Sequence, residues 1–189
     1  MTATTREKVA ALLPLVERMH RGHCWLKTPE GPRRINEPFT EFMLAEHCAG
    51  RKAYGLCPIA PGTSTTQVAC LDFDSHKGEM PWVDMAKVAQ EVLAVAELCG
   101  MPGVAFRSSG GNGIHLIFIW PEPQDARSVR ESMRQVLEAM GLKPGTGGVL
   151  KGEVEIFPKQ DSVETGSYGS MFILPLAGES VLLGGEDAQ

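Results

Sequence analysis

The sequence predicts an α+β fold in which a small N-terminal α/β lobe packs on a β-α-β-β-α-β sheet with its helices on one face. Three observations carry this. Val68–Asp74 and Ile114–Trp120 are apolar runs too short for helices and bounded by turn residues, as strands are. Val83–Cys99 and Ala126–Met140 are amphipathic at helical spacing, and each is closed by a glycine, Gly100 and Gly141. From residue 68 onward these segments alternate in the order of a split β-α-β unit.

Taken in order, residues 5–20 read as an amphipathic helix with a Thr4-x-x-Glu7 capping box and Val9, Leu12, Val16 and Met19 on one stripe. Lys27–Pro38 is a polar stretch that bears prolines. Glu41–Cys48 is a short helix stopped by Gly50, Ala53–Ile59 a strand, and Pro61-Gly62-Thr63-Ser64 a turn. After the strand ending at Asp74 and the first long helix come a short strand, Val104–Arg107, a tight loop, Gly110–Gly113, and the strand Ile114–Trp120. The second long helix precedes two more strands, Glu153–Phe157 and Met171–Leu176. The expected division is an N-terminal lobe over 1–67, an RRM-like sheet domain over 68–177, and a flexible acidic tail over 178–189.

The chain has 189 residues, with 18 Lys and Arg against 23 Asp and Glu, a net charge of −5. That balance excludes a protein that grips duplex nucleic acid by overall charge, though a local basic strip is compatible with it. Lys77, Arg107, Lys151 and Lys159 flank the motifs below and are candidates for such a strip. Arg127, Arg130 and Arg134 recur at helical spacing and read as a solvated face. The five cysteines form no C-x-x-C pair, so no zinc site is expected, and their odd, unpatterned number suits a reducing cytoplasm. No apolar stretch approaches the ~18 residues of a membrane span. A cytoplasmic protein without a membrane partner is expected.

The chemistry concentrates in three strings. In Leu71-Asp72-Phe73-Asp74 the two acids share a strand face, about 7 Å apart at the backbone, and repel unless a cation lies between them. Hard carboxylate oxygens suit a divalent ion such as Mg²⁺ or Mn²⁺. Asp74-Ser75 also reads simply as a turn. In Arg107-Ser108-Ser109-Gly110-Gly111-Asn112-Gly113-Ile114-His115 the glycines let the backbone approach a phosphate, or merely turn a hairpin. His115, on the face of Ile117 and Ile119, is either a packed core histidine or a phosphate donor. In Glu153-Val154-Glu155-Ile156-Phe157-Pro158-Lys159 the acids are either solvated or, if this strand lies beside that of Asp72, a third carboxylate joins the pair.

Together these strings resemble the archaeo-eukaryotic primase superfamily, and most closely the primase-polymerase domains of bacterial mobile elements and conflict systems. Leu71-Asp72-Phe73-Asp74, Ser109-Gly110-Gly111-Asn112-Gly113-Ile114-His115 and Glu155-Ile156-Phe157-Pro158-Lys159-Gln160 stand where that family has its motifs. The resemblance implies a primase-polymerase fold with an RRM-like palm. It implies two divalent ions on Asp72, Asp74 and Glu155, and nucleotide phosphates on Ser109, Gly111, Gly113 and His115, with Lys159 and Arg107 as further contacts. The implied reaction is two-metal, template-directed nucleotidyl transfer by a DNA primase or primase-polymerase in the replication of a phage, plasmid or other mobile element. Its partners would be NTP or dNTP, a single-stranded DNA template, and a helicase or other replication protein acting in trans. Gly166-Ser167-Tyr168-Gly169-Ser170 departs from the family's Gly-x-Gly-Asn string, and no basic residue follows it in the strand. The rival reading is a non-catalytic nucleotide- or single-strand-binding module on the same fold. A nicking initiator fits least, because the chain has no His-x-His pair.

Overall fold

Thr4 caps the first helix, α1 (Thr5–Val16): its hydroxyl accepts from the Glu7 amide while the Glu7 carboxylate accepts from the Thr4 amide, the expected capping box. The computed structural model describes residues 4–184, apart from the side chain of Lys77. Helix α1 stops four residues short of the expected end. Pro14 lacks an amide to donate, and His20 is already committed to a strand, β1 (His20–Thr28).

That strand and β2 (Gly31–Ile35) form a hairpin that reaches into the polar, proline-bearing stretch, where no strand was expected. Strand β2 is largely exposed on both faces, so no apolar alternation marks it, and Pro32 is tolerated because β2 lies at the sheet edge. Helix α2 (Glu41–Cys48) is capped by Thr40 and terminated by Gly50 at φ 72°, as its sequence indicates. Strand β3 (Tyr54–Cys57) pairs with β1 in the same sheet. Buried His47 ties the lobe together: its Nδ1 accepts from the Tyr54 amide and its Nε2 donates to the Pro175 carbonyl. Burial pushes this imidazole down to about 4, so it stays neutral.

The second unit keeps the predicted β-α-β-β-α-β order and adds one short strand, β7, that the sequence did not indicate: β4 (Thr65–Asp74), α3 (Trp82–Leu98), β5 (Gly103–Arg107), β6 (Gly113–Asp125), α4 (Ala126–Ala139), β7 (Lys143–Pro144) and β8 (Glu153–Phe157). Its sheet runs β5-β6-β4-β8-β7, antiparallel except for the parallel β7–β8 pair. Ala69, Leu71 and Phe73 of β4, with Ile114, Leu116 and Phe118 of β6, pack against α3 and α4. Val68, Cys70 and Ile117, on the opposite face, pack against the N-terminal lobe. The sheet is therefore covered on both faces, and the residues beyond Cys70 and Ile117 look into the cleft between the layers.

Two segments depart from expectation. The last strand is only β9 (Phe172–Ile173), and it pairs with β3 in the first sheet (order β2-β1-β3-β9), so the chain crosses back to the N-terminal lobe. Gly178–Gly184, read as a flexible tail from its composition, packs along the outer edge of β5. Arg107 N donates to Val181 O and Leu183 N to Ala105 O, both at 2.9 Å. These bonds satisfy an edge that would otherwise be open. Residues 185–189 of the expected tail lie outside the described residues.

Candidate active site

Strand register builds the site. Asp72 sits directly opposite His115 of β6 on one side and Glu155 of β8 on the other. Adjacent strands are ~4.8 Å apart, so three side chains of one row must share a few ångströms of space. Asp74, two residues on, pairs with Gly113 and occupies the same face at the sheet's end.

Each acid faces a base. Asp72 Oδ1 lies 3.5 Å from His115 Nε2, Asp74 Oδ2 lies 3.0 Å from His76 Nδ1, and Glu155 Oε2 is ion-paired with Lys159 Nζ. At 3.5 Å the first contact is an electrostatic one, too long for a good hydrogen bond. Burial pushes the Asp72 carboxyl above the usual range. His115 and Lys159 oppose that push, while the Asp74 and Glu155 charges add to it. His115 is buried with its ring edge on Phe172, and its Nδ1 has no hydrogen-bond partner.

The glycine loop closes on itself: Ser108 N donates to Gly113 O, Gly113 N to Ser108 Oγ and Gly111 N to Ser108 O. Gly113 is required because a Cβ there would meet the Phe73 carbonyl at 2.8 Å. Across the cleft, Lys27 of β1 reaches over to donate to Ser109 Oγ at 2.9 Å. Lys27, Asp72, Asp74, Ser109, Gly113 and His115 line a cavity of about 390 Å³ closed on its apolar side by Phe157 and Phe172.

The expected site residues are thus divided among three places. Asp72, Asp74, Ser109, Gly113 and His115 share the cavity. Glu155 and Lys159 border a second, adjoining one of about 510 Å³, together with Arg127, Arg130 and Arg134 of α4. Those three arginines are solvent-accessible, as their helical spacing predicts, and they also form one wall of this open cavity. Arg107 and Gly111 lie behind the loop. The Arg107 guanidinium stacks over Trp82, 4.6 Å from its centroid, and its Nε donates to Gly111 O, which braces the loop from outside. Of the other strip candidates, the side chain of Lys77 lies outside the described residues. Lys27 was missed because nothing local distinguishes it: its role depends on a hairpin that carries no apolar period.

The donor set of Asp72, Asp74 and Glu155 is hard oxygen, which fits a divalent cation; the register puts Asp72 and Glu155 in one row, with Asp74 on the same face two residues further along β4. As the side chains stand, no three donors among the described residues converge on one point. Each carboxylate is turned to its base, so a cation would have to draw them away from those partners.

The model of the archaeo-eukaryotic primase domain of the TOTE conflict system matches residues 13–184. The chain belongs to this family. The primase domain also resembles the polymerase domain of Mycobacterium tuberculosis ligase D, solved in complex with DNA, with a TM-score of 0.56. At 15% identity over 91% of this chain and 75% of that one, the likeness is one of fold. No curated protein matches the sequence. Among the described residues no helix is long and apolar enough to cross a membrane.

Proposed function

We propose that this primase-family domain is a nucleotidyltransferase, a DNA primase or primase-polymerase serving the replication of a phage, plasmid or other mobile element. The observation that carries this reading is the placement of Asp72 between His115 and Glu155 on one sheet row, opening on a cavity walled by the glycine loop and Lys27. Asp72, Asp74 and Glu155 would hold two Mg²⁺ or Mn²⁺ ions. When bound, these would activate the attacking 3′-hydroxyl and neutralise the triphosphate and leaving pyrophosphate.

The chain's own residues bind and orient. Lys27 brings a point charge, and Ser109 a hydroxyl, to the mouth of the glycine loop, where a triphosphate would lie. His115 turns Nε2 towards Asp72. With that carboxylate drawn to a cation, the same nitrogen would face a phosphate oxygen. Phe157 and Phe172 exclude water behind the row. Lys159 keeps Glu155 compensated until the site is loaded.

The direct test is primer synthesis and primer extension on single-stranded circular DNA with labelled NTPs and dNTPs. Labelled product that requires Mg²⁺ or Mn²⁺ and disappears with chelator is expected. Binding of DNA or nucleotide without any incorporation would instead establish a non-catalytic binding module. Addition of a replicative helicase tests whether the template has to be opened in trans.

Lys27→Met separates the lobe's contribution from the sheet's. Losing one charge-assisted hydrogen bond, worth about 1.5–3 kcal/mol, should raise the nucleotide KM roughly ten- to a hundredfold while template affinity stays near parental. A variant with unchanged nucleotide KM would remove Lys27 from the phosphate site.

A further inference from the structure

A cavity of about 510 Å³ lies beside the nucleotide cavity, across the edge of β8. Helix α4 buries Ala126, Val129, Met133, Val136 and Leu137 and leaves Arg127, Arg130 and Arg134 on the cavity side. At 1.5 Å rise per residue these three guanidinium groups are anchored over about 10 Å of helix. Their present partners are exposed carboxylates: Arg130 pairs with Asp161, and Arg134 with Glu131 and Glu138, while Arg127 forms no ion pair among the described residues. Exposed pairs of this kind contribute at most about 1 kcal/mol, so an incoming phosphate, which a guanidinium can grip with two parallel bonds, displaces them at little cost.

The chemistry of the adjoining site says which phosphates these are. In phosphoryl transfer the attacking and leaving oxygens lie roughly in line, on opposite sides of the reacting phosphorus. The triphosphate side of the row is that of β6, with the glycine loop and Lys27. The attacking side is then that of β8, where Glu155 stands at the border of the arginine-lined cavity. We propose that this cavity holds the phosphates of whichever molecule brings the 3′-hydroxyl: the backbone of a primer strand or the 5′-triphosphate of an initiating nucleotide. The proposal deepens the nucleotidyl-transfer reading and rests on it for the direction of attack.

The test uses the full chain with Arg127→Gln, Arg130→Gln and Arg134→Gln combined, beside a version with lysine at all three positions. Fluorescence anisotropy with a labelled primer–template across a salt series should show a tenfold or larger loss of affinity in the glutamine protein. The slope of log affinity against log salt should fall by roughly 2.7, for three contacts to duplex at ~0.9 each. The lysine protein should recover most of both, and the KM of the incoming nucleotide in extension of a saturating primer–template should be unchanged in each. In turnover, a rise confined to the primer KM assigns the cavity to primer backbone, and a rise in the KM of the first nucleotide in unprimed synthesis assigns it to the initiating triphosphate. Parental primer affinity and parental KM values in the glutamine protein overturn the proposal, as does equal loss in both versions, which would mean that the arginines only hold the helix. Binding needs no turnover: arginine-dependent primer binding by a parent protein that incorporates nothing would refute the enzyme reading and leave the phosphate site standing.

Discussion

Asp72→Asn should abolish metal-dependent nucleotide incorporation, by a thousandfold or more, equivalent to about 4 kcal/mol of lost transition-state stabilisation. The size follows from position. Asp72 is the only acid of the row with site residues on both neighbouring strands, and it is flanked by the other two candidate acids, Glu155 on the neighbouring strand and Asp74 two residues on. Asp74→Asn should be nearly as severe. The same change should have the opposite effect on the metal-free fold. Burial, with the nearby charges of Asp74 and Glu155, holds the Asp72 carboxyl above its ordinary range. The folded chain therefore binds that proton more tightly than the unfolded chain, and the ionised form costs stability once the pH rises past the raised value. Metal-free Asp72→Asn should melt a few degrees above the parent at pH 7 to 8, and the difference should vanish below about pH 4, where both states are protonated. Added Mg²⁺ or Mn²⁺ should raise the melting temperature of the parent and not of the variant, because only the parent's folded state binds the ion. Incorporation by the variant at near-parental rate would remove Asp72 from the catalytic row.

Replacing His115 should raise the nucleotide KM by roughly ten- to a hundredfold, the effect of one hydrogen bond to a charged phosphate, with template affinity little changed. Because the ring is buried against Phe172 beside Asp72, Ala would leave a hole and confuse folding with function. Gln, which keeps a donor of similar reach, is the informative comparison: it should preserve the fold and recover part of the nucleotide affinity that Ala loses. If both variants unfold at the same reduced temperature and lose nucleotide and template binding alike, His115 is a packing residue. Its unpartnered Nδ1 then has no part in the reaction.

Much of this protein was legible in one dimension because its signals are local. The β-α-β-β-α-β order came from periodicity, glycine terminators and a capping box, each set by the backbone within a few residues. Asp72 and Asp74 share a face because side chains alternate along any strand. The three motif strings also sufficed to point to the archaeo-eukaryotic primase family. What lay beyond the sequence were relations between distant strands. Nothing in residues 20–35 announces a hairpin whose outer strand is exposed on both faces, so Lys27 could not be placed opposite Ser109, 82 residues away. Phe172–Ile173 is short and apolar, equally suited to either sheet, and only the free edge of β3 decided between them. Gly178–Gly184 has the composition of a loose tail, yet β5 had an open edge to satisfy and the segment reached it. Arg127, Arg130 and Arg134 look like any solvated helix face until α4 is laid along β8, which turns a charge pattern into the wall of a cavity. Alternation and helical period determine which residues share a side of an element. Only tertiary pairing, through register and edge satisfaction, decides what that side faces.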